Sequence, residues 1–187
     1  FYRHPEAFQP LYTAPEELEV RALTEMWVKL AGQKMAAKYT RTTTEDPVAI
    51  EVHKTLKRLI ELLAKRIHEK AMVLPLYRRG VEELGLKGPA LAYLLSHDAI
   101  ALTTLPRDKL ATRYGVSSPR TYKKLRRRLL VSLANTAVLN RHPRYVQIYR
   151  RYRQQGKRHW QAIVRVAKRL LRDLKRLNTQ KAGGPPA

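Results

Sequence analysis

The chain contains no cysteine. That excludes disulfides, thiolate chemistry and zinc ribbons. Glycine is scarce, with 8 in 187 residues, and none of them forms a Gly-rich phosphate loop. No run approaches 18 apolar residues, so no transmembrane helix is expected. No signal-peptide pattern is visible, and the chain begins at Phe1 rather than Met. The six histidines, His4, His53, His68, His97, His142 and His159, show no metal-ligand spacing. They read as caps, surface groups or phosphate neighbours, and no metal or other cofactor is expected in this chain.

The most informative shortage is of acid. Residues 99–187 hold two carboxylates, Asp108 and Asp173, against 23 Lys/Arg, a net of +21. Residues 1–98 hold 13 Asp/Glu against 15 Lys/Arg, a net of +2. The total of +23 therefore resides almost entirely in the second half. Such an imbalance reports on partners rather than fold. DNA, RNA and anionic membrane are the obvious polyanions. A lipid-surface protein wants an amphipathic chain of low core content. Here 44% of residues are hydrophobic, enough for a packed core, so DNA and/or structured RNA are the expected partners and a membrane is not. A cytoplasmic location, with nucleoid or ribonucleoprotein, follows as an expectation.

What is present is helical periodicity almost throughout, so the expected class is all-α. A leader occupies residues 1–14. Thr13, ahead of Pro15 and Glu16, makes a Thr-x-x-Glu capping box. Leu18, Leu23, Trp27, Leu30 and Met35 then predict a helix to about Tyr39, followed by a polar loop from Thr40 to Glu45. Asp46 caps a second helix with Pro47 at its first position. Its stripe is Val48, Val52, Leu56, Leu59, Ile60, Leu63 and Ile67. Together residues 15–74 read as an antiparallel coiled-coil hairpin, through which (15–73) a homodimer is possible. Residues 75–177 read as a compact basic helical domain and 178–187 as a flexible tail.

Within the basic domain, two helices meet at the turn Gly85 to Gly88. Either this is a helix-hairpin-helix-like turn whose amides, with Lys87, approach phosphate, or Gly85 is a C-cap and Pro89 opens a new helix. A short helix from Arg107 to Tyr114 ends at Gly115, and Ser118-Pro119 starts a long helix to about Asn140. Ala111, Gly115, Val116 and Ser117 give a partial helix-turn-helix pattern, with Tyr122 one residue out of place; a plain helical corner is the alternative. Further helices are expected from Arg144 to Gln155 and from Lys157 to Leu177.

The candidate phosphate contacts are Lys87, Arg113, Arg120, Lys123, Lys124, Arg126, Arg127 and Arg128, then Arg141, Arg144, Arg150, Arg151, Arg153, Lys157 and Arg158. Arg165, Lys168, Arg169, Arg172, Lys175 and Arg176 complete them at helical spacing on the last helix. Tyr145, Tyr149, Tyr152 and Trp160 lie between the charges as possible stacking groups, with a core role expected for Trp160. Metal-dependent phosphoryl transfer needs converging carboxylates, which the C-terminal half lacks. Ser117 and Ser118 are candidate nucleophiles beside cations, although Ser118 before Pro119 is also an ordinary N-cap.

Several stretches resemble the region after the nuclease-like domain in one transposase family, the Piv-type DNA invertases and bridge-RNA-guided insertion-sequence recombinases. HPEAFQPLYTAPEELEVRALT is similar to that family's exit from its RuvC-like domain, and residues 15–73 to its coiled coil. GLKGPALAYLL resembles its Gly-x-Gly-Pro segment. DKLATRYGVSSP resembles its Leu-Ala-x-Tyr-x-Gly-Leu-x-Pro segment. The most specific stretch, KKLRRRLLVSLANTAVLNRHPRYVQIYRRYRQQGKRHWQAIVRVAKRLLRDL, is similar to the end of its transposase domain. The chain departs from the family in two ways. The RuvC-like domain with its acidic metal ligands is absent from this chain, and no Ser-Gly occurs where the family carries its serine nucleophile. The resemblance therefore implies the nucleic-acid-binding apparatus of a transposition or DNA-recombination protein, without catalysis of its own. Two alternatives stay open: a structural RNA-binding protein of a ribonucleoprotein such as the ribosome, and a subunit of an active serine recombinase.

Overall fold

The computed structural model describes residues 14–117 and 124–179. The leader up to Thr13, Tyr122, the candidates Ser118, Arg120 and Lys123, and residues 180–187 of the expected tail lie outside these; Asn178 and Thr179, also expected in the tail, belong to the last turn of a helix instead. Every regular element among the described residues is a helix: α1 (Pro15–Thr44), α2 (Pro47–Ala71), α3 (Pro75–Leu84), α4 (Pro89–His97), α5 (Ala99–Thr104), α6 (Arg107–Arg113), α7 (Lys124–Leu139), α8 (Pro143–Gln154) and α9 (His159–Thr179). The protein is all-α.

Prolines open five of these helices, α1 to α4 and α8, at the first turn, where their missing N–H is no loss. Asp46 caps α2 as its sequence indicates, accepting from the Val48 amide at 2.8 Å. Two boundaries differ from the sequence reading. The N-cap of α1 falls on Ala14, which has no side-chain acceptor; Thr13, the expected cap, lies outside the described residues. The other end runs on past Tyr39 to Thr44, and only Glu45 and Asp46 connect it to α2. The hydroxyls of Thr40, Thr42, Thr43 and Thr44 turn back onto carbonyls three or four residues earlier. That satisfies the polar run within the helix, where a loop was expected.

Helices α1 and α2 pack side by side and antiparallel, with Glu19 near the start of one paired to Lys70 near the end of the other at 2.9 Å. Only the base of this pair is buried, at Val20, Thr24, Ile67 and Ala71. It rests on α4, where the Arg21 guanidinium donates to the Ser96 carbonyl at 2.9 Å.

Two helices organise the rest. Helix α4 is apolar nearly all round, as a helix enclosed on all sides should be, and buries Leu91, Ala92, Leu94 and Leu95. It touches α1, α2, α3, α5 and α7. Helix α9 buries Ala162, Ile163, Val166, Ala167, Leu170, Leu171, Leu174 and Leu177 along one side. It packs on α3, α5, α6, α7 and α8. Its opposite side faces solvent, and that side carries the charge.

The α3–α4 turn is built from inside. Gly85 takes a left-handed conformation (φ +61°), and a Cβ there would lie 2.9 Å from the His142 ring at the α7–α8 corner. The amides of Gly85 and Leu86 donate to the Val81 and Gly80 carbonyls, and that of Gly88 to the Tyr77 hydroxyl at 2.8 Å. Three amides of the turn proposed for phosphate are thus already engaged within the chain. Helix α6 ends as expected at Gly115, where the Gly115 and Val116 amides return to Thr112 and Ala111. The helix-turn-helix pattern would pair α6 with the basic helix that follows it. Among the described residues α6 packs on α9, and residues 118–123, where the basic helix would begin, lie outside them.

Candidate nucleic-acid interface

The basic half is organised first by two buried carboxylates. Asp98, at the α4–α5 junction, is wholly enclosed. It accepts from the Arg126 Nε at 2.6 Å, from the Tyr114 hydroxyl at 2.8 Å and from Arg113 at 3.3 Å. Burial alone would push its carboxyl up. The hydrogen bonds from Arg126, Tyr114 and Arg113, with the charge of Arg126, outweigh burial and hold it below the usual carboxylate value. The Tyr114 hydroxyl moves the other way, far above its ordinary value, through burial and then the Asp98 charge.

Asp173 on α9 repeats the arrangement. It pairs with Arg144 at 3.0 Å and Arg169 at 3.4 Å, and accepts from the Tyr145 hydroxyl at 3.2 Å. Burial, followed by the Asp173 charge, pushes Tyr145 up. So two carboxylates each hold two guanidiniums and one tyrosine. Four candidate contacts, Arg113, Arg126, Arg144 and Arg169, are thereby tied to the body of the protein. Arg126 is the most enclosed, its side chain 12% exposed. Lys175 is also tied, donating to the carbonyls of Leu102, Thr103 and Leu105 at the end of α5.

Along the solvent side of α9 lie three adjoining shallow depressions. The first is lined by Arg107, Asp108, Ser117, Lys168, Arg172 and Lys175 with the apolar edge of α6. The second is lined by Arg127, Lys157, Arg165 and Lys168 around Trp160. The third is lined by Arg151, Tyr152, Arg165, Lys168, Arg169 and Arg172. Lys168 belongs to all three. Nine cations and one acid, Asp108, thus line a single track along the helix. The Arg165 guanidinium lies over the Tyr152 ring, 5.5 Å from its centroid, which orients both groups.

The candidates fall into three groups. Arg127, Arg151, Lys157, Arg165, Lys168 and Arg172 line this track, together with Arg169 and Lys175, which are also held internally. Lys87, Lys124, Arg128, Arg141, Arg150, Arg153, Arg158 and Arg176 are exposed elsewhere. Arg113, Arg126 and Arg144 serve buried carboxylates. Sequence reasoning missed Arg107, whose position beside α9 depends on the docking of α6. Trp160 corrects an expectation: it is 62% exposed rather than in the core. Tyr145 is fully buried and Tyr149 hydrogen-bonds His159 at 3.0 Å, so neither offers a ring to a ligand in the way Trp160 does.

Ser117 is exposed, its hydroxyl 3.1 Å from that of Thr112. Among the described residues no three His, Cys, Asp or Glu side chains converge as a metal site would require. No described helix is long and apolar enough to cross a membrane.

These features define a class, an all-α protein with a cationic track along its last helix. Comparison with protein-family models, curated proteins and solved structures found no match.

Proposed function

We propose that this protein binds nucleic acid along the solvent face of α9, through phosphate contacts from α6, α7, α8 and α9. One observation carries the reading: nine cations against one acid on a continuous track, beside two buried acids, Asp98 and Asp173, that are already paired. A merely solvated face would mix its charges, as α2 does with Glu51–Lys54 and Lys57–Glu61. Six to ten phosphate contacts predict that affinity falls about 10³–10⁵-fold between 50 and 200 mM salt. An affinity for DNA and RNA that ignores salt overturns the proposal.

The resemblance to Piv-type and bridge-RNA-guided recombinases favours a transposase-derived binding protein, with no catalysis of its own. The nucleic acid retained after native purification tests this origin. Retained ribosomal RNA or ribosomal subunits would favour the structural ribonucleoprotein reading instead. The active-recombinase reading has one supporting observation, the exposed Ser117 hydroxyl in the cationic track. Strand exchange that survives Ser117→Ala combined with Ser118→Ala would sink the serine assignment, and absence of strand exchange in the native chain would remove the reading.

Self-association through the α1–α2 pair belongs to the same proposal. No residue between 25 and 66 is buried, yet Met26, Met35, Tyr39, Val48, Val52, Leu59 and Leu62 are large apolar groups left in water. Residues 15–74 carry 11 Lys/Arg against 9 Asp/Glu, so two copies do not repel there as two basic halves would. Light scattering should give twice the chain mass, and Val48→Lys with Val52→Lys should halve it. A monomer at tens of micromolar would overturn this part.

A further inference from the structure

We infer that the cleft around Trp160 accepts an unpaired nucleotide, its base stacked on the indole and its phosphates held by the rim. The inference rests on the nucleic-acid reading and specifies what the track prefers. Trp160 sits in the first turn of α9, in a cleft of about 410 Å³. Its lining is apolar at Val116 and Val164, polar at Ser117 and Gln161, and cationic at Arg127, Lys157, Arg165 and Lys168. Trp160 is more than half exposed and shares this cleft with four cations.

Its indole has an aromatic neighbour that limits its orientation. The His159 ring meets the indole edge-on at 4.9 Å, and His159 is itself held by the Tyr149 hydroxyl at 3.0 Å. A ring limited in this way loses less conformational freedom on binding. In an intact duplex both faces of every base are covered by neighbours, so a protein ring finds a free face only on an unpaired base. A ring next to several cations is the usual platform for such bases. A lipid surface fits less well: the apolar side of α9 is already packed against five helices, leaving one indole to insert.

The test uses Trp27→Phe in the full chain, which leaves Trp160 as the only tryptophan. The probes are 12-nucleotide oligouridylate and oligodeoxythymidylate, with 12-base-pair blunt duplexes of RNA and of DNA. Trp160 emission should be quenched by one or both single strands, which tells RNA from DNA, and much less by the duplexes. In the otherwise native chain, Trp160→Ala should weaken single-strand binding roughly tenfold and duplex binding less than about twofold, while Trp160→Phe retains part of the difference. Equal losses on single strand and duplex, or none on either, overturn the inference. So does quenching by phosphatidylglycerol vesicles without quenching by oligonucleotides. The combined Arg165→Ala, Lys168→Ala and Arg172→Ala variant separates the two levels. If it weakens both probes while Trp160→Ala weakens neither, only the stacking inference fails. If it weakens nothing, the basic-face reading fails with it.

Discussion

Asp98 shows why a carboxylate inside a strongly basic protein is worth more than its charge. An ion buried without partners costs several kcal/mol, and removing one member of a buried pair typically costs about 3–5 kcal/mol. Asp98→Ala would leave the Arg126 guanidinium enclosed beside Tyr114 with no anion. We expect a loss in that range, about 3–5 kcal/mol, or on the order of 10 °C in Tm for a chain of this size. Thermal unfolding checks it, and a loss below about 1 kcal/mol would show that Asp98 does not hold the α4–α7 contact. The same residue sets the acid limb of stability. Its folded value lies below the ordinary one, so its contribution is present above about pH 4 and is lost as pH falls through the folded value. His97 acts earlier. Burial lowers it, against the pull of nearby Glu25 and Asp98 and with Arg21 close by, while Tyr93 stacks on its ring at 4.1 Å. The native state therefore binds this proton less readily than the unfolded chain. Stability should decline as pH falls from about 6.5, before the Asp98 limb begins. Urea midpoints between pH 7 and 5 read the decline, and His97→Gln should flatten it.

At the scale of elements, the stops are as specific as the starts. Helix α7 ends with Arg141 in the left-handed conformation, φ +54°, with the Arg141 and His142 amides returning to Val138 and Ala137. The same bonding pattern ends α8 at Gly156 and α6 at Gly115, where glycine fits without strain. Arg141→Gly should therefore raise stability by about 1 kcal/mol. If Arg141 also contacts phosphate, affinity should fall in the same variant, so that thermal unfolding and binding move in opposite directions. These stops explain what was legible in the sequence. Pro47, Pro89, Pro143, Gly115 and Gly156 carry their geometry in their own chemistry, and the boundaries near them were readable. The end of α1 was not, because threonine serves equally well in a loop and, by bonding back to its own turn, in a helix. Trp160 was misplaced for a different reason. By angle it falls within the apolar arc of α9 that continues through Ile163, Val166 and Leu170, which are fully buried. Periodicity records the arc but not how far the neighbouring helices extend along it. The pairing of Arg113 and Arg126 with Asp98 was equally hidden, because it joins residues 15 and 28 apart in the chain.

For the whole molecule, the question is how a net charge of +23 divides between holding the fold and holding a ligand. Each buried carboxylate cancels one of the two guanidinium charges it holds, and the donors of Arg126 and Arg144 are engaged on it rather than free for phosphate; beyond the Debye length of about 8–10 Å the remaining charge is screened. Arg165, Lys168 and Arg172 on the α9 track make no ion pair with a described carboxylate and keep their counterions until a phosphate displaces them. Each phosphate contact contributes about 0.9 to the slope of log affinity against log salt for duplex DNA, and about 0.7 for a single strand. Arg165→Ala, Lys168→Ala and Arg172→Ala should each lower the slope by about that amount while leaving Tm within a degree or two. Arg126→Met and Arg144→Met should do the reverse, lowering Tm and leaving the slope unchanged. Binding isotherms at four or five salt concentrations for these five variants, read beside their melting curves, test the division. If Arg126→Met reduces the slope as much as Lys168→Ala does, then Asp98 does not retain its arginine in the complex. The ligand would then have to open the α4–α7 contact to bind, and the protein would exchange an internal ion pair for a phosphate rather than present a preformed surface.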